Sequence, residues 1–420
     1  MNHSQNHNER AVITGLGVAT ALGLGLDRFW DSLLAGESGI RTITRFDASE
    51  LPCQIAGEVS EYEPADHFKL KDARKMARAS QLAIVSARSA VADSGLTLPF
   101  SNPGRVGVCI GTGVGGLDKA EDGIEEIRAK GISRLSPFAL PISIPNMPAF
   151  HITGEFGASG PNLTITTACA TGTQAVGEGA QLIRDGRADI VIAGGTESIL
   201  RFFAVGAFTQ MRAMPTNFND DPAKASRPFD AKREGFVFSE GAACLVLERL
   251  DLAIERNAHI YAEVTGHASS SDGFHMAAPD PEAKAPIQSM IWALEDAGLK
   301  PEDIDYINAH GTSTPLNDAV ETYAIKQVFG EGAYNIPISS TKSMIGHALG
   351  AAGGIEAVVS ALTIDRQLIH PTINYEFPDP DCDLDYVPNQ TRDAKVEHVL
   401  SNSFGLGSQN ACLILSRVDV

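Results

Sequence analysis

The chain is 420 residues long, with 43% hydrophobic and 20% charged residues, an ordinary composition for a globular enzyme and enough for a large core or two similar lobes. Its formal net charge of −19 excludes partners that need a broad basic surface, nucleic acids above all. No run reaches the roughly 18 apolar residues that span a bilayer, and residues 1–10 are polar with no signal-peptide core, so a cytoplasmic protein without membrane attachment is expected.

Residues 1–10, rich in Asn and His, read as a disordered leader, and the fold is expected to begin at the β run Ala11-Val12-Ile13-Thr14-Gly15. Helical spacing of apolar residues follows at 73–94, 174–185, 286–297, 318–329 and 353–365. The same kinds of segment occur twice in the same order. Val12-Ile13-Thr14-Gly15 is echoed by Glu263-Val264-Thr265-Gly266, and the run ending Gly111-Thr112 by the run ending Gly311-Thr312. The turn around Cys169 and Gly172 finds an echo in Ser343 and Gly346, and Ala243-Cys244-Leu245-Val246-Leu247 in Ala411-Cys412-Leu413-Ile414-Leu415. Four echoes in register predict a duplicated α/β unit, with halves at 11–255 and 256–420.

Strands alternating with helices predict largely parallel sheets covered on both faces, and two such sheets sharing central helices give five layers, α/β/α/β/α. Gly350-Ala351-Ala352-Gly353-Gly354 would let a central helix pass close to a neighbouring backbone. Within the long insert at 113–161, the prolines at 137, 141, 145 and 148 argue against regular helix over 136–150. Such an insert covers a pocket or meets a second subunit.

Chemistry concentrates in four places. In the first, an apolar β run at 161–167 ends in Thr167-Ala168-Cys169-Ala170, and a helical pattern follows. A strand turning into a helix exposes its turn residue beside free N–H groups, where a thiol ionises more easily and becomes a nucleophile. The other five cysteines are scattered with no CxxC pair, which reads as reduced thiols rather than disulfides or a zinc site. Second, Asn308-Ala309-His310-Gly311-Thr312-Ser313-Thr314 sets a histidine and two threonine hydroxyls after a strand and before a helix, where ligands bind in such sheets. Third, Lys342-Ser343-Met344-Ile345-Gly346-His347 stands where the second half repeats the nucleophile turn. Fourth comes the glycine-rich turn Asn402-Ser403-Phe404-Gly405-Leu406-Gly407-Ser408-Gln409-Asn410. It lacks the acidic residue about twenty positions on that a dinucleotide fingerprint needs, and Gly111-Thr112-Gly113-Val114-Gly115-Gly116 lacks the Gly-Lys-Ser/Thr ending of a phosphate loop.

If a pseudo-twofold axis relates the halves, Cys169, His310, Lys342 and His347 converge on one pocket. A cysteine that holds an acyl group, imidazole N–H groups facing a developing oxyanion, and a nearby amine suit acyl transfer at a thioester. Two histidines without an acidic orienter do not suit a protease-like triad, and no third ligand stands at metal-binding spacing.

With these motifs in hand, the chain resembles the β-ketoacyl-acyl-carrier-protein synthases of the thiolase superfamily, closest to the elongating synthase II type and similar to polyketide ketosynthases. The resemblance runs from Val12 to Val418 and implies a thiolase-like five-layer fold and a decarboxylative condensation in fatty-acid synthesis. It implies that Cys169 takes the acyl chain, that His310 and His347 promote decarboxylation of malonyl-carrier protein, and that Lys342 sets the electrostatics and pairs with Glu321. The oxyanion hole would be the N–H groups of Cys169 and Leu406. Thr312 and Thr314 would bind the phosphopantetheine arm that arrives on the carrier protein, Phe404 would face substrate, and Val114 and Phe208 would line the acyl tunnel. No cofactor or metal of the protein's own is implied, and a homodimer is.

The chain departs from the elongating type at Leu406, where a gating phenylalanine is usual, and at Gly407-Ser408-Gln409-Asn410. Carrier proteins are acidic, so an enzyme of net charge −19 needs a local basic patch; Lys69, Lys71, Arg74, Lys75 and Arg78 cluster, and Arg134 and Arg212 would join them. Three other readings stand beside this one: a specialised-lipid or polyketide ketosynthase; a non-catalytic chain-length partner, which would lack the cysteine; and a degradative thiolase, which would need a second late cysteine that neither Cys382 nor Cys412 is well placed to supply.

Overall fold

The computed structural model describes residues 10–418. The leader expected at 1–10 therefore lies outside the described residues, except for Arg10, which runs straight into the first strand and pairs with Glu263. The first half contains β1 (Ala11–Thr20), α1 (Arg78–Asp93), β2 (Val106–Gly111), α2 (Leu117–Lys130), α3 (Met147–Phe156), β3 (Asn162–Leu163), α4 (Thr171–Arg184), β4 (Ile190–Glu197) and β5 (Gly241–Arg249). A short helix, Leu250–Glu255, leads to the second half: β6 (Ala262–Ser271), α5 (Lys284–Ala297), β7 (Tyr306–Asn308), α6 (Pro315–Phe329), β8 (Ile338–Ser339), α7 (Lys342–Ile345), α8 (Ala352–Arg366), β9 (His398–Gly405) and β10 (Gln409–Ser416).

The duplication is visible in the strand order, which is β3-β2-β4-β5-β1 in one half and β8-β7-β9-β10-β6 in the other. Each parallel or antiparallel pairing in the first half recurs at the same place in the second. The halves meet at β1 and β6, whose antiparallel pairing at Val12–Glu263 and Ile13–Ala262 joins the two five-stranded parts. The sheets are less parallel than expected, because β5 and β10 run against both of their neighbours. For β10 the cause is local: only residues 406–408 separate it from β9, and so short a turn can close only an antiparallel hairpin.

Helices α4 and α8 form the middle layer, touching strands of both halves, while α1 and α3 cover one outer face and α5 and α6 pack on the other side. From Ala352 to Ile364 every residue of α8 is buried, which explains a sequence apolar on all sides rather than along one stripe. The close approach expected of its glycines is present: a Cβ added at Gly172 in α4 would fall far inside contact distance of the Gly354 nitrogen. Among the described residues no helix is long and apolar enough to cross a membrane.

Three local expectations need correction. The helix anticipated from residue 73 starts at Arg78, because Leu70–Ala73 forms a separate turn and Ala77 is extended. The β run at 161–167 keeps ladder pairing only at Asn162–Leu163, then stays attached to the end of β2 through Thr112 N–H donating to the Ile165 carbonyl at 3.1 Å. The proline-rich stretch 136–150 does hold helix, since α3 begins at Met147 with Pro148 in its first turn, where the missing N–H breaks no hydrogen bond.

The glycine contact between the central helices sets a measurable cost. Gly172→Ala forces α4 and α8 apart and should destabilise the protein by roughly 1–3 kcal/mol, as overpacking does, read from urea unfolding midpoints; an unchanged midpoint would show that this contact is not tight.

Candidate active site

Cys169 lies in a single 3-10 turn, Ala168–Ala170, that feeds directly into α4. Ala168 takes a left-handed φ of 50°, and Thr167 N–H donates to Thr171 Oγ1 at 2.8 Å, so the turn is locked on both sides of the sulfur. The second half repeats this device at Leu349–Ala351, where Leu349 has φ 46° and α8 follows. The counterpart of Cys169 is therefore Gly350, and the expected echo in Ser343 is displaced by seven residues. Sequence similarity between Lys342-Ser343 and the nucleophile turn hid this, because the second half inserts α7 before its central helix.

The thiol is 5% exposed. Burial pushes its pKa up to about 11, offset only in part by the Leu406 N–H directed at it and by the charge of Lys342. Burial therefore opposes the easy ionisation expected of a thiol at a helix start. Leu406 itself is 36% exposed at the rim of the site, and its backbone N–H reaches the sulfur.

His310 and His347 stand with ring centroids 5.5 Å apart and planes at 86°. Nδ1 of His310 and both ring nitrogens of His347 are buried without hydrogen-bond partners among the described residues. Burial holds both pKa values well below the ordinary histidine value, reinforced by the nearby Lys342 charge. Both imidazoles are therefore neutral at pH 7, each with one N–H to donate. Backbone contacts fix the ring-bearing loops: Glu321 accepts from the N–H groups of His310 and Gly311, both at 2.7 Å, and His347 N–H donates to the Val237 carbonyl at 2.7 Å.

Lys342 is buried and its ammonium pairs with Glu356 of α8, not with Glu321 as the resemblance implied. Glu321 is occupied by the two loop N–H groups, and burial raises it to about 7 despite them. Glu356 escaped the sequence reading, although one signal existed: it is the single charged residue between Ala352 and Ile364 in a helix that is otherwise apolar or small. Glu197 was missed as well. It accepts from Thr112 Oγ1, Gly113 N–H and Gly350 N–H, tying the loop after β2 to the start of α8, and burial raises it to about 7.

A cavity of about 400 Å³ brings most of the predicted residues together. Cys169, His310 and His347 line its buried part, whereas Lys342, expected to join them, does not line it; Thr312, Thr314, Phe208 and half-buried Phe404 lie along it; exposed Arg212, His275 and Leu316 mark the opening. The Thr312 and Thr314 hydroxyls share a hydrogen bond of 2.9 Å. Phe404 lies 5.6 Å from the His310 ring. Val114 does not line this cavity, but packs with Phe208 against the apolar cluster that includes Cys169, Phe236 and Phe238. Of the basic residues, Lys69, Lys71, Arg74, Lys75 and Arg134 are exposed, whereas Arg78 is committed to Glu240 and to the Val59 carbonyl.

Comparison with known proteins matches residues 8–253 to the beta-ketoacyl synthase N-terminal domain and residues 261–376 to the beta-ketoacyl synthase C-terminal domain. The chain belongs to the beta-ketoacyl synthase family. The 3-oxoacyl-[acyl-carrier-protein] synthase 2 of Coxiella burnetii is 50% identical, with 97% of this chain and 99% of the relative covered. The synthase of the same name from a Synechocystis strain is 46% identical, with 97% and 98% covered. Among solved structures, a type II polyketide ketosynthase in complex with its acyl-carrier protein superposes with a TM-score of 0.91 at 34% identity, covering 98% of this chain and 100% of that one. A beta-ketoacyl synthase from Burkholderia phymatum gives the same TM-score and coverage at 35% identity.

In this beta-ketoacyl synthase the buried Lys342–Glu356 pair makes its own prediction. Lys342→Ala strands a buried carboxylate and should cost about 3–5 kcal/mol, while replacing both partners by Met and Leu should recover most of the loss, as measured by urea unfolding. The same change removes positive charge from beside His310 and His347, so their pKa values should rise toward the ordinary value, which imidazole NMR titration reads directly. In the native protein the unfolded chain takes up these protons first, so stability is full above pH ~6.5 and falls as pH drops below it; an unshifted titration in the Lys342 variant would remove the charge coupling.

Proposed function

We propose that the protein is a 3-oxoacyl-acyl-carrier-protein synthase that elongates acyl chains in fatty-acid biosynthesis. The observation that carries this is the single cavity in which a buried thiol faces a backbone N–H and two neutral imidazoles with unpartnered nitrogens. The relatives at 46–50% identity bear the name 3-oxoacyl-[acyl-carrier-protein] synthase 2, while the polyketide ketosynthase with its carrier protein stands at 34%. This favours fatty-acid elongation over specialised-lipid synthesis, and the presence of Cys169 sets aside a silent partner.

In the first step Cys169 sulfur attacks the carbonyl of an acyl-pantetheine thioester. A tetrahedral oxyanion forms against the N–H groups of Cys169 and Leu406, the C–S bond to pantetheine breaks, and the proton lost by the cysteine ends on the departing thiol. Malonyl-carrier protein then enters the emptied cavity. Loss of CO₂ leaves its electron pair on an enolate whose oxygen lies between His310 and His347; neutral N–H donors in a desolvated site stabilise that charge without having to give up a proton. The enolate carbon attacks the acyl-cysteine carbonyl, a C–C bond forms, and Cys169 leaves as a thiolate that takes up one proton. Lys342, neutralised by Glu356, keeps the imidazoles from becoming charged and so preserves their donor role.

Thr312 and Thr314 would hold the phosphopantetheine arm as it enters, and Phe208, with Val114 behind it, would bound the acyl chain. No resident cofactor is required, because the arm comes with the substrate. An acidic carrier protein would dock on Lys71, Arg74 and Lys75, with Arg212 at the opening and Arg134 alongside, where local charge overcomes the repulsion of the whole protein. Six free thiols suit a reducing cytoplasm. A homodimer is supported by an apolar surface on the insert, where Ile124, Ile127, Ile132, Phe138 and Leu140 are exposed, Ile132 and Leu140 each at 72%; a patch of this kind on a globular protein marks an interface.

Cys169→Ala should abolish condensation of an acyl primer with malonyl-carrier protein, followed by mass spectrometry of the products; a variant that still elongates would overturn the assignment. Reversing Arg74 and Lys75 to Glu should raise KM for carrier-bound acyl groups by about tenfold or more, the effect of losing roughly 1.4 kcal/mol of binding, and leave the coenzyme A thioester unaffected. Equal effects on both substrates would remove the docking surface.

A further inference from the structure

The loop from His310 to Pro315 carries both a histidine of the cavity and the two threonines of its channel, and it is held at each end by a different residue. At the inner end Glu321 takes the N–H groups of His310 and Gly311. At the outer end a segment from the first half, residues 226–233, clamps the loop from behind. Arg227 N–H donates to Ser313 Oγ at 2.9 Å, and Phe229 N–H to Asp318 Oδ2 at 2.8 Å. Arg233 completes the clamp: Nε donates to the Thr314 carbonyl at 3.1 Å and Nη2 to the Pro315 carbonyl at 3.0 Å. Its Nη1 donates to the Asp230 carbonyl at 2.9 Å and pairs with Asp379, so the guanidinium is itself immobilised. Ser313 has φ 68°, a left-handed conformation that a non-glycine residue keeps only when its surroundings impose it.

We propose that Arg233 is a positioning residue for the substrate linker: it holds Thr312 and Thr314 in register for an extended pantetheine chain while Glu321 independently holds His310 for chemistry. Arg233 does not line the cavity; it reaches the loop through the carbonyls of Thr314 and Pro315, and its guanidinium also stands 3.7 Å from the buried carboxylate of Asp318. The planar fork is essential, because two carbonyls on adjacent residues must be engaged at once, which an ammonium on a flexible stem does not reproduce. The inference rests on the reading of Cys169 as acyl acceptor and of the two threonines as linker contacts.

The test compares two thioesters of the same acyl group, one of pantetheine and one of ethanethiol, the latter having no linker to reach the threonines. Acylation of Cys169 in the full chain is followed by intact mass for wild type, Arg233→Gln and Arg233→Lys, the lysine variant retaining the positive charge beside Asp379 and the buried Asp318 and hence the fold. Both variants should raise KM for the pantetheine thioester about tenfold, as expected for roughly 1.4 kcal/mol of lost binding, with the maximal rate within about twofold and acylation by the ethyl thioester unchanged. Glu321→Gln should lower the condensation rate without this KM increase. Equal losses on both thioesters, or an unchanged pantetheine KM in either folded variant, would overturn the role of Arg233. If wild type is acylated at Cys169 by neither thioester, it is the functional reading that fails.

Discussion

The site depends on one packing constraint, the approach of two central helices at a distance only glycine permits. Gly172 of α4 faces the backbone of Gly354 in α8, and Gly195 at the end of β4 faces the Gly350 carbonyl just before α8. With side chains at these points the helix starts could not share one location, and the turn holding Cys169 could not meet the loops of the other half. Each helix is launched by the same 3-10 turn behind a left-handed residue, Ala168 in one half and Leu349 in the other. The duplication thus supplies two equivalent corners, of which the first bears a sulfur and the second a hydrogen atom at Gly350. The missing side chain leaves Gly350 N–H free to meet Glu197, so the second corner braces the first instead of competing with it.

Around that corner the electrostatics favour neutrality at rest. The thiol is held protonated, the imidazoles uncharged, and the one buried ammonium is matched by one buried carboxylate. A buried site with several unmatched charges would be costly to fold. Here the cavity itself presents donors without charge, while the buried carboxylates Glu197 and Glu321, raised to about 7, face backbone N–H groups of the surrounding loops. Preorganised donors of this kind act most strongly where water is excluded, because no dipoles must turn as the charge develops. Lys342 then has an indirect role: its field opposes protonation of both histidines, which keeps them donors and not acids.

Much of this was legible in the sequence, and the failures share a cause. The duplication, the central helix and the convergence of Cys169, His310 and His347 on one cavity, with Lys342 buried outside its lining, follow from local signals: repeated strand endings, a Gly-Ala-Ala-Gly-Gly run, a histidine after a strand. What stayed hidden required knowing which residues meet across long separations. The ammonium of Lys342 chooses Glu356 over Glu321 because Glu321 is already saturated by two backbone N–H groups, and a hydrogen-bond inventory of that kind exists only in three dimensions. Arg78 looked like one more member of a basic cluster until its partner Glu240, far along the chain, claimed it. The thiol failed for a related reason: a helix start lowers a cysteine pKa, but the burial that opposes it comes from Phe236, Phe238 and their neighbours, which nothing near residue 169 announces.

Leu406 illustrates how a change of side chain can leave chemistry intact. Its N–H is directed at the Cys169 sulfur, while its side chain sits at the surface and the next residue, Gly407, donates its N–H to the carbonyl of Met276 at 3.0 Å. The Leu406 N–H, the proposed oxyanion donor, therefore belongs to a turn moored on one side to the cysteine and on the other to an exposed loop. Because a backbone donor is indifferent to the residue that carries it, leucine in place of a phenylalanine alters the shape and flatness of the cover over the cavity without altering the donor beneath it. On the proposed mechanism, selection among acyl chains and stabilisation of the oxyanion would be separable, one carried by side chains at the rim and the other by peptide groups that the β9–β10 hairpin fixes.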